Sequence, residues 1–392
     1  MSQVLRFNPW VLAAPVEDFR PVQDMLRKHA DSISFAVAVP YKSPPSHILE
    51  AYHTALDSGC IRYGPGRGLL QLREAIARKL KDFNGVEADP ETEIIVTHGA
   101  GHGFLISLLA FLNPGDEVLT ADPSFPLNFG VPSLLGAVPR CFRLCAEDNF
   151  RFDFDSLEHA VTPRTKLLIH HDPNNPTGTV CRAEDLVRLA RFVLDHDLVV
   201  LSDEVYEKFS FDGYRHRSLA GFDEMKGRVV SLFSFSKEYA LSGARLGYIV
   251  ADRQTIEVIS RIQQNDGSGA NHAGQMAALA ALTGPQDFLA EWLSEFDRSR
   301  HYAVETLNRI PGVTCTVPGG GFFVFTDISR LGTSDGIWRM LLRDAKVGLA
   351  PGNWYGPHGE GYVRLCYGAV PFNLLERGLA RMTEVLKGLA VG

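Results

Sequence analysis

A chain of 392 residues, 45% hydrophobic and 22% charged, is long enough to bury more than one sizeable core and too apolar to stay disordered. Its formal net charge is −7 and its Lys and Arg residues are spread out, so the basic footprint needed for a nucleic-acid partner is missing. No run approaches a membrane span, Met1 to Trp10 lacks the pattern of a secretory leader, and the six cysteines contain no CxxC pair. The expectation is therefore a reduced, cytoplasmic protein with no membrane partner and no metal, in which Cys141 and Cys145 are packing residues of one strand.

In chain order, residues 1–44 read as an N-terminal arm that also contributes to a small domain. Residues 45–284 read as a large domain. There, short apolar runs predict strands at Glu93–Thr97, Glu117–Thr120, Val138–Arg143, Lys166–His170, Leu198–Ser202, Val229–Phe233 and Leu246–Val250. Helical patterns such as Gly103–Leu112 and Ala183–His196 lie between them, and Asn113-Pro-Gly-Asp116 marks a helix stop before a strand start. Strands apolar on both faces and alternating with helices give an α/β fold: a mostly parallel seven-stranded sheet covered by helices. From 285 to 392 the pattern changes to a smaller α+β domain. It has a long helix at Phe288–Asn308, strands at Val313–Val317 and Phe322–Asp327, and a helix at Asp335–Asp344. A strand at Tyr362–Cys366 and a last helix at Phe372–Leu389 complete it.

Four short stretches carry chemistry, each at the end of a predicted strand. Thr97-His-Gly-Ala-Gly-His-Gly103 is a glycine-rich turn into a helix, whose free N–H groups suit an anion. It lacks the glycine spacing of a dinucleotide fingerprint, so a nicotinamide dehydrogenase is not expected. Asp172-Pro-Asn-Asn175-Pro-Thr-Gly178 is a rigid turn, either purely structural or built to hold the Asn175 amide against an oxygen of a bound cofactor. Asp203-Glu-Val-Tyr206 places a carboxylate at a buried strand end. Such a group is costly without a positive partner, for which a protonated pyridine nitrogen would serve; a helix N-cap is the structural alternative. Ser234-Phe-Ser-Lys237, trailed by Gly243-Ala-Arg245-Leu-Gly-Tyr248, puts a lysine able to condense with an aldehyde beside hydroxyls and an arginine able to grip a phosphate.

In this order, over nearly the whole chain, these stretches resemble the class I/II aminotransferases of the aspartate-aminotransferase superfamily, fold type I of the pyridoxal-phosphate (PLP) enzymes. The resemblance implies a PLP-dependent aminotransferase that moves an amino group from an amino acid to a 2-keto acid through an aldimine on Lys237. It implies that Asp203 pairs with the pyridine nitrogen and that Asn175 and Tyr206 contact the phenolic oxygen. The phosphate then falls to the amides of Ala100 and Gly101, to Ser234 and Ser236, and to Arg245. Phe125, in Asp122-Pro-Ser-Phe125-Pro, stands where the family stacks an aromatic ring on the cofactor, although a core phenylalanine is the plain alternative. Arg62-Tyr63-Gly-Pro-Gly-Arg-Gly68 resembles the segment whose tyrosine reaches the neighbouring subunit's phosphate, which implies a homodimer with shared active sites. Arg364, in Gly361-Tyr-Val-Arg364-Leu, corresponds to the arginine that grips the substrate α-carboxylate, with Asn175 and Ala38 beside it.

The sequence departs from the family where Ala36 and Ala38 replace glycines and Tyr41 replaces an aspartate, changes expected to narrow the pocket beside the substrate carboxylate. Ala244 stands where relatives often carry a large aromatic residue. Asp266, in Asn265-Asp-Gly-Ser-Gly-Ala-Asn-His272, reads as a solvated loop carboxylate or as a group favouring a cationic substrate. Because the cofactor residues do not decide the fate of the carbanion, the alternatives are elimination, replacement, cyclisation or oxidation on the same fold, and more remotely a non-catalytic PLP-binding regulator.

Overall fold

The computed structural model describes residues 7–390, so the first six residues of the expected arm lie outside the described part. The large sheet is built from β1 (Ile94–Thr97), β2 (Glu117–Asp122), β3 (Val138–Cys145), β4 (Arg151–Phe152), β5 (Thr165–His171), β6 (Val199–Asp203), β7 (Val229–Ser234) and β8 (Gly247–Val250). In space they run β1-β8-β7-β6-β5-β2-β3-β4. Every pair from β7 to β3 is parallel, whereas β8 is antiparallel to both neighbours and β4 folds back on the edge of β3. All seven predicted strands are present. The eighth, β4, is a two-residue hairpin arm too short to leave a pattern in the sequence.

The central strands explain where the chemistry lies. Each is a largely buried run rich in β-branched residues and leucine, and each carries polar residues at its carboxyl end: His170-His171 on β5, Ser202-Asp203 on β6, Ser234 on β7. Parallel pairing brings those ends to one edge of the sheet, the edge where open α/β sheets bind ligands. Because β8 runs the other way, its amino end and the preceding Arg245 arrive at the same edge.

The helix after β1 runs Ala100–Phe111, starting three residues earlier than the apolar periodicity indicates. Glycines weaken that periodicity in the first turn, but Gly103 is needed there: a Cβ would come within 3.3 Å of Ile249 and Leu232, so the helix packs tightly on the sheet. The long helix Asp287–Asn308 and the final helix Phe372–Ala390 pack together. Among the described residues no helix is long and apolar enough to cross a membrane.

A second, antiparallel sheet joins β9 (Val324–Asp327), β10 (Ala350–Pro351) and β11 (Tyr362–Leu365) in the order β9-β11-β10. The strand expected at Val313–Val317 does not form. Only Thr314 bridges to Asp327, while the Asn308 side chain takes both backbone groups of Cys315, at 2.9 Å each, so no strand partner is needed. The helix expected at Asp335–Asp344 is an α-helix, Ser334–Met340, that widens into a π-turn at Leu341–Ala345. Val22, Ile33 and Phe35 share a core with Phe296, Leu307, Leu375 and Leu379, and Ile33–Ser34 pairs in parallel with Val347–Gly348.

Candidate active site

A cavity of about 290 Å³ opens at the carboxyl edge of the large sheet. Of the residues singled out from the sequence, it gathers Ala38, Ala100, Gly101, Phe125, Asn175, Asp203, Tyr206, Ser234, Ser236, Lys237, Arg245 and Arg364. Tyr63 is not among them: it is 90% exposed and, with Ile61, lines a second, open concavity together with residues 269–273.

Lys237 sits on the single-turn helix Phe235–Glu238 that leaves β7, and Ser234 caps this turn by accepting from the Ser236 N–H at 3.0 Å. The ammonium donates to the carbonyl of Ala38 at 2.6 Å. Burial lowers the Lys237 pKa to about 8, and the positive charges of Arg364 and Arg245 push the same way.

Asp203 ends β6, is 7% exposed, and accepts only the Val205 N–H on Oδ1, at 3.3 Å. Burial holds its carboxyl above the usual range, against the attraction of His171 and Lys237. Tyr206 is buried against Phe322 and Phe323, with ring centroids 5.5 and 5.3 Å away.

Arg364 rises from the middle strand of the second sheet into the cavity wall. It donates from Nη1 to Asn175 Oδ1 at 2.9 Å and from Nη2 to the Ala36 carbonyl, and its buried Nε has no partner. A buried guanidinium with an unspent donor is poised for a further acceptor.

Opposite this wall, two glycines shape a cradle. A Cβ on Gly99, whose φ is +88°, would sit 2.7 Å from Arg245 Nη2. One on Gly247 would meet the Ala100 nitrogen at 2.6 Å. The guanidinium of Arg245 and the free amides at the start of helix Ala100–Phe111 are thus held side by side.

Three expectations about this region need correction. Tyr41 does not border the cavity; its hydroxyl and the Lys42 ammonium both bond to Glu295, and its ring lies edge-on to Phe296. Of the two alanines, only Ala38 faces the cavity, Ala36 contributing its carbonyl to Arg364. Asp266 is not a free loop carboxylate but the last residue of helix Arg253–Asp266, 2.6 Å from His102 Nε2.

The cavity also holds residues that the motifs did not announce. Glu17 and Phe19, from the arm, and Val37 line it. Burial raises the Glu17 pKa, and Arg364 is the charge that opposes this rise. His171 is in the wall below. Behind it, His216 bridges Asp172 Oδ2 at 3.1 Å and Glu204 Oε2 at 2.8 Å, all three side chains being buried. Glu17 gave no local signal. His171 could have been found from its position, one residue beyond the predicted strand and next to the proline turn.

The family model for class I and II aminotransferases matches residues 30–382. The aspartate aminotransferase of Pyrococcus abyssi is 39% identical over 94% of this chain and 95% of its own length. The aromatic-amino-acid aminotransferase 2 of Thermococcus litoralis is 37% identical over the same shares. Among solved structures, the aromatic aminotransferase from Pyrococcus horikoshii superposes with a TM-score of 0.89 at 41% identity, covering 94% of this chain and 99% of that one.

Proposed function

Because the chain belongs to the class I and II aminotransferases, and is a PLP-dependent enzyme of that family, we propose that the cavity beside Lys237 is where its amino-group transfer takes place. One observation carries the reading. A single buried cavity unites an amine of depressed pKa, a carboxylate with a free oxygen, an arginine with a free donor and an anion cradle that two glycines keep open.

That donor set fits PLP. Lys237 would be the attachment point, Asp203 would serve the ring nitrogen, and Asn175 and Tyr206 would serve the phenolic oxygen. Phe125 would border the ring, and Ala100, Gly101, Ser234, Ser236 and Arg245 would hold the phosphate. When bound, the cofactor supplies an electron sink that eases removal of the proton from an amino acid's α-carbon.

The protein's own groups do the rest. Arg364 receives the amino acid's α-carboxylate on its unspent Nε side and fixes the α-carbon next to Lys237. Lys237 Nζ, with a pKa near 8, is unprotonated often enough at neutral pH to take that proton and hold it. Phe19 and Val37 add apolar surface to the lining.

The charge balance supports a substrate class. In this subunit's own lining the cations are Lys237, Arg245 and Arg364 and the carboxylates are Asp203 and Glu17; all but Glu17 have a role above. The wall otherwise offers Phe19, Phe104 and Leu127, so donors with apolar or aromatic side chains are favoured over dicarboxylates. Tyr63 and the concavity beside it support a homodimer in which this face is covered by the partner. The division at 1–44, 45–284 and 285–392 is supported by the shared core of the arm with the last hundred residues.

Incubating the purified protein with PLP, reducing with borohydride and mapping the peptides tests the assignment. The label is expected on Lys237 and absent from Lys237→Ala; a label elsewhere refutes it. Dependence of turnover on a 2-keto acid separates transfer from elimination, and sedimentation reports the dimer.

A further inference from the structure

We propose that His171 is a positioning residue for Asp203, its Nε2–H turning onto Asp203 Oδ2 so that the carboxylate stays ionised and aimed at the nitrogen of the bound ring. This rests on the PLP reading above and assigns a residue outside the motifs.

The two side chains are neighbours by construction. His171 closes β5 and Asp203 closes β6, and the two residues are direct partners in the parallel ladder. His171 Nε2 lies 3.9 Å from Asp203 Oδ2, an ångström beyond hydrogen-bond distance. Both ring nitrogens of His171 are buried without a partner, although the residue is only 8% exposed. Asp203 has one bond, on the other oxygen. A donor without an acceptor and an acceptor without a donor thus face each other across a gap that a small side-chain rotation closes.

The surroundings direct that rotation. Phe125 stands edge-on to the imidazole at 6.2 Å and Tyr206 lies parallel to it at 6.0 Å, so the ring is walled on two sides by aromatics that offer it no strong acceptor. An apolar side chain would fill the same space without the cost of burying two polar nitrogens, so a histidine here implies that a polar partner is available in the working state. Strand alternation keeps the adjacent His170 out of this role: it points to the other face and packs against Phe152. Burial holds His171 below its ordinary pKa, so it approaches Asp203 as a neutral donor, while burial alone drives Asp203 toward its protonated form. A neutral donor on Oδ2 lowers the cost of keeping that carboxylate charged.

The test compares two aldehydes, PLP and the carbon analogue in which C–H replaces the ring nitrogen. In His171→Leu the Kd for PLP rises about tenfold or more, the loss of a hydrogen bond to a charged group, while the Kd for the analogue changes less than about twofold. His171→Gln, which keeps a donor, recovers most of the difference. Nitrogen NMR with an isotope-labelled ring shows a protonated nitrogen in the wild type and a shift toward the unprotonated form in His171→Leu. Equal losses for both aldehydes, or an unmoved nitrogen signal, overturn the proposal. Should His171→Leu not fold, histidine-labelled wild type loaded with PLP decides: a hydrogen-bonded Nε2 proton on His171 sustains the proposal and its absence overturns it. A wild type that takes up neither aldehyde overturns the cofactor reading and this proposal with it, whereas equal losses overturn this proposal alone.

Discussion

His216 ties together two of the elements that carry the site, and replacing it by glutamine should loosen both. Asp172 opens the turn that ends in Asn175, and Glu204 follows Asp203 directly. Glu204 Oε1 accepts from Ser218 and Ser231 at 2.9 Å each, Asp172 Oδ1 accepts from the Cys181 N–H at 2.7 Å, and His216 fills the remaining oxygen of each carboxylate. Burial alone would push the imidazole toward neutrality, but the bonds to Asp172 and Glu204 outweigh it and raise its pKa from 6.5 to about 10. A rise of that size corresponds to roughly 4–5 kcal/mol of preference for the proton in the folded state. Removing the cation from such a buried set costs about 3–5 kcal/mol by the general behaviour of broken buried pairs, so the two routes agree. Because the folded-state pKa lies above the unfolded one, this stabilisation is fully present below pH 6.5 and is lost as pH rises through about 10. Urea denaturation across that window is the assay. His216→Gln is expected to lose about 3–5 kcal/mol at the acid end, and its gap to the wild type to shrink toward roughly 1 kcal/mol by the alkaline end. A gap that is flat with pH, or below about 1 kcal/mol throughout, would refute the reasoning.

Arg364→Ala should reduce kcat/KM for the amino acid on the order of 10²–10³-fold, mostly through KM, since a forked charged contact to the α-carboxylate is lost; borohydride labelling of Lys237 should persist. Glu17→Gln should shift the ratio of kcat/KM for aspartate over phenylalanine upward by roughly tenfold, as the like charge facing a dicarboxylate is removed. The same shift should appear in the wild type as pH falls toward the raised pKa of Glu17, and initial rates with the two donors across pH check both statements. Gly247→Ala would put a Cβ within 2.6 Å of the Ala100 nitrogen and 2.8 Å of the Gly99 carbonyl carbon and Phe233 oxygen. All three are backbone atoms, so β8 must move from the helix start; a loss of about 1–3 kcal/mol in urea and weaker retention of PLP are expected.

The large sheet is legible because its central strands are mostly buried apolar runs and helices stand between several of them, a pattern of parallel sheets. Most motif residues are legible as a site for a related reason: Ala100, Phe125, Asn175, Asp203, Tyr206 and Lys237 lie within three or four residues of a buried strand's carboxyl end, and parallel pairing brings the central ends together, whereas Arg245 arrives with the antiparallel β8 and Arg364 on the second sheet. What failed had local causes. Alternation at Val313–Val317 mimicked a strand whose backbone needs are met by the Asn308 side chain instead. Tyr41 reads as a substrate neighbour because it stands where the family carries an aspartate. A tight turn, Val39 N–H to Val37 O at 2.9 Å, and a bond from Tyr41 N–H to Gly368 O carry its ring away to Glu295. Glu17 reaches the cavity from more than two hundred residues before Lys237, and no spacing in the chain reports such a closure.

The buried ions at this edge fall into two kinds, and the difference lies in unspent hydrogen-bonding capacity rather than in residue type. Glu204, Glu207 and His216 come close enough to suggest a metal site. Yet both oxygens of Glu204 are taken, Glu207 is bonded to Lys79 and Asn84, and both nitrogens of His216 are engaged. A cation entering there would have to displace bonds already made, so the set is closed and structural. In the cavity wall the opposite holds: Arg364 Nε and both nitrogens of His171 are buried without a partner, and Asp203 accepts a bond on Oδ1 alone. Open capacity costs stability in the empty protein and is recovered only when a ligand supplies the missing acceptors and donors. Loading with PLP should therefore raise the melting temperature of the wild type more than that of His171→Leu, while leaving the difference between wild type and Glu207→Gln unchanged.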